Sequence, residues 1–352
     1  MNFRIGDIDV GVGQPIFIVA EISCNHKGQL RYAKKLIEEA KEAGADAVKF
    51  QSYTAPEMTI ECDKEWFKLK GNTPWEGRYL RDLYQQASTD LTWFTSLKRT
   101  AEENEILMFS SVFSVSGVEW MEKEIDPPAY KLASFEIQYT QLIEAMGKTW
   151  KPIIMSIGIA SLDDIFRARD VCYKERNPQI AFLKCSSTYP TSVSESNLQD
   201  IKSLQHKYNS LGALVGLSDH TKGITTAIAS TALGATIIEK HIKLEGDNSS
   251  LDAEFSLAPS EFKEMVEAIR ETESAMGGGM LELTEGQEKA KLLGRSIFIV
   301  ADMKEGDFFS KSNIAIIRPG YGMEPRYYDN VLGKQAQRNI ERGTPLKGSM
   351  IR

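Results

Sequence analysis

Two histidines, His220 in LVGLSDH and His241 in TIIEKHI, each close a short apolar run. If those runs are neighbouring parallel strands, both imidazoles share one rim. Two histidines with water and substrate oxygens make an open site for Mn²⁺- or Mg²⁺-like ions. Each could equally be a hydrogen-bonded rim histidine. Glu239, two residues before His241, shares its face on a strand, whereas Asp219 alternates away from His220 toward a structural role. Three lysines, Lys49, Lys131 and Lys184, end other apolar runs, with Ser110, Ser156 and Ser186 or Ser187 nearby. Cations, hydroxyls and backbone amides gathered at one mouth form a cradle for a carboxylate or phosphate. The alternatives are internal ion pairs with Glu21 or Glu136, or a Schiff-base lysine. Glu21, followed by Ser23, Asn25 and His26, could be a general base, a proton shuttle or an ion-pair partner. Cys185 has no evident base or helix N-terminus beside it and reads as a structural thiol.

These residues lie at the ends of eight runs: PIFIVAEIS (15–23), AVKFQSY (47–53), ILMFSSV (106–112), AYKLAS (129–134), PIIMSIG (152–158), IAFLKCSST (180–188), LVGLSDH (214–220) and TIIEKHI (236–242). Each is followed by a stretch with helical periodicity, which predicts an α/β protein built as a (β/α)8 barrel. In that fold the strand C-termini carry the active site, and the polar residues above cluster there. Helices are expected over 31–45, ending at Gly44, over 224–235, and over 260–279, with a Ser260 cap and a buried stripe of Met265, Ile269 and Met276. The insertion before the third run holds Trp66, Phe67, Trp75, Tyr79, Tyr84, Trp93 and Phe94 and reads as a substrate-covering loop with a helix at DLYQQA. The expected layout is a barrel over 1–278, a linker over 279–293 and a small β-rich domain over 294–352.

Charge and composition narrow the class. A net charge of −7 and a pI near 5.4 give no hint of a nucleic-acid or anionic-membrane partner and suit a cytoplasmic protein. The four cysteines lack CxxC spacing and read as reduced thiols. The first residues lack the apolar core of a signal peptide. The uncharged segment 223–238 is too short and too rich in Ser and Thr to span a bilayer.

Several stretches, in order, resemble the sialic acid synthase family: AEISCNHKG, AGADAVKFQ, MFSSVF, PAYKLASFEI, FLKCSSTYPT, VGLSDH, LGATIIEKH, and in the tail GRSIF, IRPGYGM and VLGKQAQRNI. The tail resembles the antifreeze-like (SAF) domain of that family. The WEG…DLYQQA and FLKCSSTYPT segments are most similar to the branch that makes pseudaminic acid from a bacterial diacetamido-trideoxy sugar. N-acetylneuraminic and legionaminic acid synthesis share the same chemistry and are the alternatives. The resemblance implies condensation of phosphoenolpyruvate with the open-chain aldehyde of an acylamino sugar, releasing phosphate. It implies a divalent cation, Mn²⁺ first and Mg²⁺ or Co²⁺ as alternatives, on His220 and His241. It places Lys49, Ser110, Lys131, Ser134, Ser156, Ser187 and Ser218 around phosphoenolpyruvate, and Gln51, Tyr189, Glu239 and Asp252 near the sugar. Glu21 takes the acid/base position, with Glu239 as the other carboxylate able to move protons. Arg318 matches an arginine that reaches a partner's barrel, implying a domain-swapped homodimer.

The chain also departs from the family pattern. Val112 and Ser114 stand where Pro and Asp are usual, Asp90 where Pro is usual, and Ile157 where Thr is usual. Ile157 is expected to remove a hydroxyl near the phosphate. Two rivals remain: another phosphoenolpyruvate-dependent barrel synthase, against which the 294–352 tail weighs, and a non-catalytic sugar- or ice-binding protein, against which the histidine pair and lysines weigh.

Overall fold

The computed structural model describes residues 2–71, 73, 75–208, 212–277 and 282–352. The chain divides into two units, Met1–Gly277 and Gly278–Arg352.

The first unit opens with a hairpin of β1 (Asn2–Ile5) and β2 (Ile8–Gly11), turned by Gly6 at φ 60 and Asp7. Eight parallel strands follow: β3 (Phe17–Glu21), β4 (Ala47–Ser52), β5 (Leu107–Val112), β6 (Tyr130–Leu132), β7 (Ile153–Ser156), β8 (Ile180–Lys184), β9 (Ala213–Asp219) and β10 (Ile237–His241). They close into a barrel, β10 pairing with β3, so the eight apolar runs are the eight strands. Being covered on both faces, they carry apolar residues on both, as parallel barrel strands must. The inner layer is Phe17, Val19, Ala47, Phe109, Ala129, Ile154, Ala181, Leu183, Leu214 and Ile237. Phe3, Ile5 and Val10 of the hairpin join this layer and close the N-terminal end of the barrel. The hairpin has no counterpart in the sequence expectations.

The outer layer packs the strands' other face against the helices. Helix Leu30–Glu42 buries Ala33, Leu36, Ile37 and Ala40. Gly44, just past its Ala43 C-cap, has φ +89 and donates its N–H to the Lys41 carbonyl, a conformation open to glycine. Helix Pro259–Met276 differs from expectation at both ends. Its N-cap is Ala258 and Pro259 occupies the first turn, where a missing N–H costs nothing. Glu261 bonds the Ala258 N–H, while the Ser260 hydroxyl turns to Glu245. Met265 and Ile269 are buried, but Met276 is exposed in the last turn. Two of the family departures are local caps: Ser114 accepts from the Gly117 N–H and Asp90 from the Thr92 N–H. Val112 sits in the outer core.

The second unit contains a short helix, Glu285–Ala290, with a Thr284–Gln287 capping box. Residues 279–281 of the expected linker lie outside the described residues. Beyond it, β11 (Ser296–Ile299) pairs antiparallel with β12 (Ile314–Ile317), and isolated bridges such as Met303 to Ile340 complete a β-rich body. Its core is Ile297, Ile299, Met303, Phe309, Ile314, Val331, Ile340, Leu346 and Met350. Among the described residues no helix is long and apolar enough to cross a membrane.

Candidate active site

Side chains alternate along each strand, so those that continue the inner layer point into the barrel at its C-terminal mouth. Counting on from the inner apolar residues gives Glu21, Lys49, Gln51, Ser111, Lys131, Ser156, Ser218, Glu239 and His241. They form one polar layer, nearly all of it buried. Lys49 Nζ lies 3.0 Å from Glu21 Oε2, 3.2 Å from Glu239 Oε1 and 3.0 Å from Ser111 Oγ. Lys131 Nζ donates to Ser156 Oγ at 2.7 Å and stands 3.9 Å from Glu239 Oε1, which also accepts from Ser218 Oγ at 3.1 Å. Gln51 Nε2 donates to Glu21 Oε1 at 2.8 Å and to Ser23 Oγ at 3.1 Å. Two lysines and two carboxylates thus share one water-poor layer, and ion pairing is the state seen here.

The same burial separates the two carboxyls. Burial and the Glu239 charge raise the pKa of Glu21, although Lys49 opposes them. Glu239 is also pushed up by burial, yet Lys131 and Lys49 together hold it below its ordinary value. Carboxyls whose environments push them apart are suited to opposite proton roles. Burial brings Lys131 down to about 8. Glu239 Oε2 is buried without a hydrogen-bond partner.

His220 stands next to His241. Their ring centroids are 5.3 Å apart. Tyr189 packs on His220 at 4.4 Å and Phe255 on His241 at 4.9 Å, and Trp75 reaches Tyr189 at 5.7 Å while its Nε1 donates to the Leu251 carbonyl. The aromatic insertion therefore does reach this wall, through Trp75, although Trp66 is exposed. His241 Nδ1 has no hydrogen-bond partner, and Asp252 Oδ2 lies 3.6 Å away. Burial, then the charges of His220 and Lys49, depress His241 well below its ordinary range, so its ring is neutral. Neutral imidazole is the metal-binding form. Among the described residues no three His, Cys, Asp or Glu side chains make a cation cage. The donor set fits a divalent cation held by two imidazoles that takes its other ligands from water and substrate.

Several positions differ from the sequence expectations. Ser110 lies on the outer face of β5 and bonds the carbonyls of Phe50 and Ser111, so Ser111 is the serine that meets Lys49. Lys184 points outward and pairs with Asp200 at 2.9 Å. Ile157 lies in the outer core, so its missing hydroxyl is not missing from the inner layer. Glu136 forms no ion pair with the lysines; burial raises its carboxyl to about 7. Cys185 does have a base beside it, since its Sγ is 3.7 Å from His220 Nδ1. Burial raises the thiol, but His220 and the Ser187 hydroxyl outweigh that and bring it to about 6. Ser134 and Ser187 flank Gly158: Ser134 Oγ accepts its N–H at 2.8 Å, and an added Cβ there would meet Ser187 Oγ at 2.1 Å. Arg318 lies in the second unit, exposed. Ser111, Phe255 and the Cys185–His220 contact went unread. Counting two residues on from Phe109 reaches Ser111 once the structure places Phe109 in the inner layer; the others lie beyond the strand ends.

Comparison with known proteins decides the lineage. The NeuB family model matches residues 36–280 and the SAF domain model residues 294–352. This chain belongs to the NeuB family. Pseudaminic acid synthase of Campylobacter jejuni is 43% identical over 96% of this chain and 97% of its own. The Helicobacter pylori pseudaminic acid synthase is 38% identical over 96% and 98%. Among solved structures, N-acetylneuraminic acid synthetase from Leptospira borgpetersenii, in complex with citrate, superposes with a TM-score of 0.73 at 32% identity, covering 82% of this chain and 94% of that one.

The Ser110/Ser111 distinction is testable in this NeuB family member. Ser111→Ala is expected to lower kcat/KM about 10-fold by freeing Lys49 from a buried hydroxyl. Ser110→Ala should leave kcat/KM within about twofold and cost roughly 1 kcal/mol of stability. Steady-state kinetics with urea unfolding checks both.

Proposed function

We propose that this chain condenses phosphoenolpyruvate with 2,4-diacetamido-2,4,6-trideoxy-L-altrose, giving pseudaminic acid and phosphate. What carries the reading is near-full-length identity of 38–43% to pseudaminic acid synthases, joined to the Lys49–Lys131–Glu21–Glu239 layer beside two histidines.

In this reading Lys49 and Lys131 exchange their carboxylate partners for the carboxylate and phosphate of phosphoenolpyruvate, with Ser111, Ser134, Ser156, Ser187 and Ser218 as hydroxyl donors. Glu239, Gln51, Asp252 and Tyr189 face the sugar. A divalent cation on His220 and His241, Mn²⁺ first, would supply Lewis acidity toward the aldehyde oxygen. The methylene carbon of phosphoenolpyruvate bonds to the aldehyde carbon, and Glu21 delivers a proton to the oxygen that becomes the hydroxyl. Water adds at the carbon bearing the phosphate ester, its proton passing to Glu239. C–O cleavage then leaves a keto acid and free phosphate, the departing phosphate taking the remaining proton of the added hydroxyl.

The direct test incubates protein, phosphoenolpyruvate and Mn²⁺ with the altrose sugar, its manno isomer and N-acetylmannosamine in parallel, following phosphate release. Release with the altrose sugar alone is the expected result. Preference for another sugar moves the protein within the family, and no release with any overturns the enzymatic reading.

We infer a homodimer in which Arg318 completes the partner's site. Its guanidinium is exposed and has no hydrogen bond or ion pair among the described residues of its own unit. Deleting 290–352 should abolish turnover or raise the sugar KM. Mixing that truncation with a His241→Ala chain, whose own barrel is inactive but whose tail keeps Arg318, should restore part of it, and unchanged kinetics after deletion would reject the exchange.

A further inference from the structure

One residue before each histidine stands a charged side chain that turns away from the barrel interior. Asp219 precedes His220, Lys240 precedes His241, and the register sets these two directly opposite across β9 and β10. Lys240 Nζ and Asp219 Oδ2 are 2.8 Å apart, with 0% and 2% of their side chains exposed. The same ammonium donates to the carbonyl of Thr221, the residue after His220. Asp219 Oδ1 accepts from the N–H and hydroxyl of Thr221 at 2.9 and 2.8 Å. Its Oδ2 accepts the Thr226 hydroxyl at 2.7 Å, from the first turn of helix Thr225–Ala232. One cation therefore grips the chain on both sides of His220 and is joined by a single peptide bond to His241.

The backbone ladder gives no equivalent tie at this level. Pairing of β10 with β9 ends at Lys240 and Asp219. Beyond it the His220 carbonyl accepts from Thr191 and the His241 carbonyl from Leu257, in two different loops. A buried ion pair contributes little net stability compared with apolar residues of the same shape, and its best-attested use is to specify one geometry. We propose that the buried Asp219–Lys240 pair is a positioning device that fixes the separation and orientation of His220 and His241, and so sets the site's affinity for a divalent cation. This rests on the reading of those histidines as the cation's ligands.

The test titrates Mn²⁺ into chelator-treated full-length protein, reading free Mn²⁺ by its EPR signal, with far-UV circular dichroism and thermal unfolding of each variant. His241→Ala is the reference and should lose the site. The double variant Asp219→Leu/Lys240→Met removes both charges together, leaving neither buried alone. It should fold cooperatively yet bind Mn²⁺ about 10- to 100-fold more weakly, as expected when support for a ligand is removed. Thr226→Val, which deletes one bond to Asp219, should weaken binding severalfold. If His241→Ala binds as wild type, the cation reading has failed. If His241→Ala loses Mn²⁺ while a folded double variant binds like wild type, the positioning role is overturned. Should the double variant not fold, Thr226→Val decides: severalfold weaker binding supports the role and wild-type affinity overturns it.

Discussion

Lys49→Met is expected to lose about 3–5 kcal/mol of stability near neutral pH, because it strips a buried cation from two carboxylates. Glu21 and Glu239 lie 3.0 and 3.2 Å from that ammonium in a layer closed to water. Burial already raises the carboxyl of Glu21 against the opposing charge of Lys49, so with Lys49 gone it is pushed further above its unfolded value. A folded state that binds more protons than the unfolded one loses stability as pH rises. The deficit should be small near the ordinary glutamate range and full once the pH passes the raised folded value. Urea midpoints at about pH 5 and pH 8 measure this, and a deficit equal at both would contradict it. Turnover should fall by roughly 10²–10³, the loss typical of one preorganised charge contact. Adding Glu239→Gln tests the charge argument for stability: it should return much of the lost stability, and no recovery would contradict that argument.

The ion pairs behind that prediction were among the sequence alternatives, and the reason they could not be chosen there is physical. Apolar runs ending in polar residues marked all eight barrel strands. Strands buried on both faces do not alternate in polarity, so the run alone does not say which of two neighbours faces inward. The sequence therefore marks Ser110 as readily as its inward neighbour Ser111, and places Lys184 with Lys49 and Lys131. Relative facing is legible from spacing alone: Glu239, two residues from His241, shares its face, and Asp219, next to His220, turns away from it. Contacts made by loops left no periodic trace. Cys185 meets His220 across two strand ends, and Trp75 reaches Tyr189 from an insertion. The β1–β2 hairpin is too short for its pattern to stand out from the flanking turn residues, yet it closes the end of the barrel opposite the chemistry.

His241→Ala should remove metal-dependent turnover, by about 10²–10⁴-fold if the cation supplies several kcal/mol of charge stabilisation. Its effect on the fold should be opposite in kind to that of Lys49→Met. His241 is a neutral ring held in a buried site with Nδ1 unpartnered, so the cation-free protein carries the cost of a desolvated nitrogen. An unsatisfied buried polar group costs about 1–3 kcal/mol, which offsets the packing lost against Phe255 when the ring is cut back. The cation-free variant should therefore unfold within about 1 kcal/mol of cation-free wild type. With saturating Mn²⁺ the wild type alone should gain stability, since a ligand that binds only the folded state stabilises it. The diagnostic is the pair of melting curves together with turnover. Equal Mn²⁺ stabilisation of both proteins would place the cation elsewhere, and full variant activity in chelator-treated buffer would remove it from the reaction. A histidine that contributes little to the fold but is buried in an aromatic wall is retained for what it binds.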